Sequence, residues 1–144
     1  FCFSKDVAVA HTSVEYKIAD CKNRDSESSI NSCLLALAEK EHVFSICDAV
    51  SSESDKGQCE YVIATAANDQ SKCDTIANRI WKDGCYSRVA ADKSDISLCE
   101  KIATISEKET CYLYVAVASH DPIICEKIHN AYGKDDCLKR SQVK

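Results

Sequence analysis

The chain has 144 residues, 45% of them apolar and 28% charged, with a formal charge of −5 at pH 7. That length suits one domain with a real core, and the acidic balance argues against nucleic acid, which requires a clustered cationic surface. No apolar run approaches the roughly eighteen residues of a membrane span, so neither nucleic acid nor a bilayer is an expected partner.

Eleven cysteines set this composition apart. In a reducing compartment so many thiols would need a metal or a redox task, whereas outside the cell they read as disulfides. The chain opens at Phe1 and contains no Met, which reads as a mature secreted protein whose export signal has been cleaved. The expected location is therefore extracellular or at the cell surface. No Asn-x-Ser/Thr glycosylation site is present.

Residues 1–14 form an atypical N-terminal segment. It carries Phe1, Cys2 and Phe3, then Val7-Ala8-Val9-Ala10, which returns as Val115-Ala116-Val117-Ala118. The segment reads as an N-terminal half-repeat, a lone helix whose cysteine has moved to position 2. From Cys21 onward the cysteines stand at 21, 33, 47, 59, 73, 85, 99, 111, 125 and 137, with steps alternating 12 and 14. Residues 15–144 are thus five copies of a 26-residue unit, the signature of stacked supersecondary elements.

Each unit reads as two short helices, A and B, of about ten residues. Leu98, Cys99, Ile102 and Ala103 share one helical face, as do Cys73, Ile76, Ala77 and Ile80. After the second cysteine an aliphatic residue recurs at Leu37, Ile63, Val89 and Val115, and Ala at 38, 64, 90 and 116. Asp69, Asp95 and Asp121 stand four residues before a first cysteine, where an N-cap for helix A belongs, and Asp121 is followed by Pro122. Ser106-Glu107-Lys108-Glu109 has the spacing of a capping box for helix B. Lys56-Gly57, Asp83-Gly84 and Trp81 are placed in the turn between A and B.

The steps decide the pairing. With helix A ending near Ile105 and B starting near Glu107, Cys99 and Cys111 lie roughly 9 and 7 Å from their common turn. Across the next turn, Cys111 and Cys125 lie roughly 12 and 6 Å away, an offset that nearly exhausts the reach of a disulfide. The expected bonds are Cys21–Cys33, Cys47–Cys59, Cys73–Cys85, Cys99–Cys111 and Cys125–Cys137. Each closes a loop of about 13 residues, for which the chain-entropy argument gives on the order of 3 kcal/mol.

The stapled 26-residue hairpins resemble a tetratricopeptide-type α-solenoid over residues 15–144, and resemble more closely the cysteine-stapled helical repeats of secreted microbial proteins. The resemblance implies an all-α, right-handed α-solenoid of five disulfide-stapled hairpins in a single domain.

No catalytic, cofactor or metal site is expected. His11, His42, His120 and His129 are read as occupying unrelated repeat positions, and only Cys2 lacks a structural partner among the cysteines. Ligand pairs with zinc spacing are missing, as are a haem motif and a phosphate-binding glycine loop. The acidic residues after four first cysteines, Asp48, Asp74, Glu100 and Glu126, read as a solvated helix face. Tyr61, Tyr86, Tyr112 and Tyr114 read as core or inter-hairpin packing.

An apolar N-terminal end with an odd cysteine points to contact between subunits. The expected assembly interface is Phe1, Cys2, Phe3, Val7 and Val9, with Leu138 at the other end. The functional expectation is an extracellular structural protein, not an enzyme, whose copies stack head to tail into a filament. The alternative is a monomeric secreted module that binds a peptide or another extracellular protein.

Overall fold

The computed structural model of the chain describes residues 5–143, with side chains from residue 13 onward. Contacts divide the chain into two compact units, Phe1–Ala67 and Asn68–Lys144. The first contains helices α1 (Lys5–Lys22), α2 (Glu27–Glu41) and α3 (Glu53–Ala66), with the 3₁₀ segment η1 (Phe44–Ala49) between α2 and α3. The second runs α4 (Gln70–Thr75), α5 (Arg79–Lys93), η2 (Ile96–Lys101), α6 (Ile105–Ser119), η3 (Pro122–Lys127) and α7 (Ala131–Ser141). Among the described residues the protein is all-α.

The 26-residue period survives in three dimensions, but the two halves of each hairpin are unequal. Helix A is a six-residue segment in four copies (η1, α4, η2 and η3), and three of these are 3₁₀. Helix B has 14 or 15 residues in α2, α3, α5 and α6 and 11 in α7. Helix A stops early because a buried aliphatic residue follows it in extended backbone: Val50, Ile76, Ile102 and Ile128. The amide of each turns back onto the carbonyl of the first cysteine, as in Ile102 N to Cys99 O at 3.1 Å. Two residues later stands the N-cap of helix B.

The turn therefore lies earlier than the sequence spacing suggests. Helix B is capped at Ser26, Ser52, Asn78, Thr104 and Asn130, a second 26-residue series. Four of these side chains accept a backbone N–H, while Thr104 Oγ1 is buried without a partner. Ser106 lies inside α6, so the expected capping box is not formed. Gly57, Trp81, Asp83 and Gly84 likewise lie within helix B rather than in the turn. Ala77 and Ala103 are exposed, and Ile80 is 79% exposed instead of joining the core.

The expected caps of helix A are present. Asp69, Asp95 and Asp121 accept from the amides of Ser71, Ser97 and Ile123, each at 3.0 Å. Each follows a residue in the left-handed region: Asn68, Ser94 and His120 have φ of 50°, 53° and 53°. At the ends of α5 and α6 this completes a Schellman turn, with Asp95 N on Ala90 O and Asp121 N on Ala116 O. At these two junctions the step from one hairpin to the next thus takes two residues.

In the first unit Cys21, Leu34, Ala38, Ile46, Cys47, Val50, Cys59 and Ile63 form the core. In the second, Ile76, Val89, Ala90, Leu98, Ile102, Val115 and Ala116 are almost fully buried beside the cysteines. The recurring Ala lets the next element approach closely; Ala38, Ala64, Ala90 and Ala116 are all fully buried. Successive B helices pack directly within each unit: α2 on α3, α5 on α6, α6 on α7.

Candidate interaction surface

All five bonds join the cysteines twelve apart: Cys21–Cys33, Cys47–Cys59, Cys73–Cys85, Cys99–Cys111 and Cys125–Cys137. Their Cα–Cα distances are 5.5 to 5.7 Å, close to the usual disulfide span. Of the residues expected at an assembly interface, Phe1, Cys2 and Phe3 lie outside the described residues. Val7 and Val9 lie in α1, their side chains outside those described. Leu138 is half-buried on α7.

The acidic positions after the first cysteine are exposed, as read from sequence, and each meets a lysine. Asp48–Lys56 is 3.0 Å, Glu100–Lys108 is 3.3 Å and Glu126–Lys134 is 2.7 Å. In the second unit the same carboxylates also anchor a link between repeats. Tyr86 donates to Asp74, while Lys101 of the next repeat lies 5.3 Å over the Tyr86 ring and 3.7 Å from Asp74. One repeat on, Tyr112 donates to Glu100 at 2.5 Å and Lys127 lies 5.7 Å over its ring. Exposed ion pairs contribute little, but a cation over a buried ring adds up to about 1 kcal/mol. The hydroxyl bond holds the Asp74 and Glu100 carboxyls below their usual range. Burial, then the carboxylate, pushes the Tyr112 phenol up to about 12 and Tyr86 upward likewise.

A second series ties repeats through the fifth residue of helix B. Asn31 donates to Asp55 at 2.9 Å and accepts from Ser51 at 3.3 Å. Glu109 accepts from the His129 amide at 2.8 Å and faces its ring nitrogen at 3.1 Å. Those amide bonds hold the Glu109 carboxyl below its usual range. Asp83 stands at the same position, nearly buried, with Arg79 3.6 Å away. Burial raises its carboxyl, and nearby Glu107 adds to the rise.

Between α6 and the turn after η3 this packing leaves a groove of about 560 Å³, lined by Ile105, Lys108, Glu109, Tyr112, Lys127 and His129. Ile105 is 73% exposed, and the Lys127 ammonium lies over the Tyr112 ring. The lining suits an apolar or aromatic group with charge at its rim. Most of the large exposed apolar side chains described belong to this unit: Ile80, Ile105, Tyr114, Ile123, Tyr132 and Val143. In the first unit the one such residue described is Tyr16, on α1.

These contacts were not legible as a site. Lys101 and Lys127 stood in the sequence only as neighbours of acidic residues, and nothing in the spacing pointed them at a ring in the preceding repeat. The histidine reading is corrected: His42 and His120 occupy one repeat position, the left-handed C-cap of helix B, where their φ values are 57° and 53°. His129 is exposed beside Glu109, and the side chain of His11 lies outside the described residues. No cluster of three or more metal-ligating side chains occurs among the described residues, and no helix there is long and apolar enough to cross a membrane. No protein family, curated protein or solved structure matches the chain.

Proposed function

We propose that this is a secreted structural protein whose copies join head to tail into an extracellular filament. The observation that carries the reading is the exposure of large apolar side chains on a heavily crosslinked frame: Tyr16 in the first unit, Ile80, Ile105, Ile123 and Tyr132 in the second. Where such side chains adjoin, exposed apolar surface marks an interaction site. The frame that presents it is braced by five disulfides, which lowers the ordering cost of association. Different patches on one chain make a heterologous contact, and such contacts run into open polymers when the rotation does not close.

On this reading the repeats are hairpins of a tetratricopeptide-like α-solenoid, the protein has no enzymatic role or cofactor, and its partner is itself. Phe1, Cys2, Phe3, Val7, Val9 and Leu138 belong to the contact, with Cys2 available for an intermolecular disulfide. The groove under Lys127 favours a second reading, a monomeric module that takes an apolar side chain of another extracellular protein.

Negative-stain electron microscopy of native, unreduced material separates the two. Uniform thin fibres are expected. Dispersed small particles at high protein concentration would remove the filament and leave the binding module.

A further inference from the structure

We infer that the groove on the second unit receives Tyr16 of another copy of this chain. The inference rests on the head-to-tail reading and names the contact that reading leaves open.

The groove offers what a tyrosine needs. It is lined by the Tyr112 ring and Ile105, by Lys108 and Lys127, and by Glu109, which is engaged by His129. The two lysines are not equivalent. Lys108 is paired with Glu100 at 3.3 Å. Lys127 lies over the Tyr112 ring at 5.7 Å and has no ion pair among the described residues, whereas its counterpart one repeat earlier, Lys101, is paired with Asp74 at 3.7 Å. The groove therefore holds a cation without a close ion pair, with Glu100 within electrostatic reach.

The other surface is complementary. Tyr16 is 76% exposed on α1, with Ala19 and Asp20 exposed one turn along the same face. Glu15 beside it is exposed, and neither Glu15 nor Asp20 has an ion pair among the described residues. The chain's charge is unevenly divided, acidic in the first unit and balanced in the second. Residues 1–67 carry six basic and eleven acidic side chains, the whole net −5, while residues 68–144 carry twelve of each. An aromatic ring on a helix flanked by carboxylates without ion pairs meets a groove lined by Tyr112 and by a lysine without a close ion pair. Such amphipathic aromatic anchors are typical of the residues that dominate interfaces.

The test is sedimentation velocity of the unreduced full chain across a concentration series. Tyr16→Ala and Ile105→Asp change exposed side chains, and circular dichroism checks that each variant folds. Each variant alone is expected to need at least about tenfold more protein to assemble than wild type. Mixed in equal amounts, they are expected to form a dimer and stop there, because only the Tyr16 of the second variant and the groove of the first remain intact. Wild type that assembles together with a Tyr16→Ala variant that assembles equally well would overturn the inference and leave the filament standing. So would two impaired variants whose mixture stays monomeric. A wild type that is monomeric at every concentration would overturn both.

Discussion

At the scale of single residues, Asp83 is an acid whose surroundings disfavour its charge. Its carboxyl is nearly buried and lies near Glu107 of the next repeat, with Arg79 at 3.6 Å and, more weakly, Lys82 to offset it. The equivalent pair in the first unit is Asn31 and Asp55, where an amide donates to the carboxylate at 2.9 Å. Asp83→Asn rebuilds that arrangement against Glu107. Because burial raises the Asp83 carboxyl, its contribution to folding is full below the ordinary carboxylate range and is lost as pH rises through the raised value. At neutral pH the charge therefore costs stability. The variant should gain about 1 kcal/mol at pH 7, seen as a Tm higher by about 3 °C. The gain should vanish near pH ~3, where both forms are neutral. An equal gain at both pH values would place its origin in packing instead of charge.

At the scale of elements, helix A is too short to hold itself and depends on its ends. η2 is fixed by Asp95, which accepts from the Ser97 amide at 3.0 Å and the Ser97 hydroxyl at 2.6 Å, and by Cys99 in the staple. Asp95→Ala should cost about 1 kcal/mol at neutral pH, measured by thermal unfolding. The Ser97 bonds hold the Asp95 carboxyl low, so the cap's contribution is present above the ordinary carboxylate range and fades as pH falls through the lowered value. Wild type and variant should accordingly converge in acid. A difference that persists at low pH would mean that the cap acts without its charge. The caps at Asp69, Asp95 and Asp121 were legible because Asp before a periodic apolar run has one ordinary meaning. The caps of helix B were not. Helix A was expected to run for ten residues, which placed Ser52, Asn78 and Asn130 inside it; a 3₁₀ segment ended by a buried Ile has no periodicity long enough to announce its own stop. The same misplacement sent Ile80 to the core and Trp81 to a turn.

At the scale of the whole molecule, the cysteine schedule was the legible part, since two alternating step lengths allow one pairing without strain. The contacts that join repeats were harder to read. A lysine two residues after one cysteine meets a tyrosine one residue after another, fifteen positions away, and only the hairpin stack brings them together. The groove follows from that stack and had no sequence signal of its own. Fold, clamps and groove all depend on the twelve-residue pairing, so the most direct measurement is a disulfide map of the unreduced protein by mass spectrometry. No Lys or Arg separates Cys111 from Cys125, so trypsin is combined with cleavage before Asp121. The account predicts five linked pairs: 21–33, 47–59, 73–85, 99–111 and 125–137. A linked peptide joining Cys33 to Cys47, or Cys111 to Cys125, would contradict it.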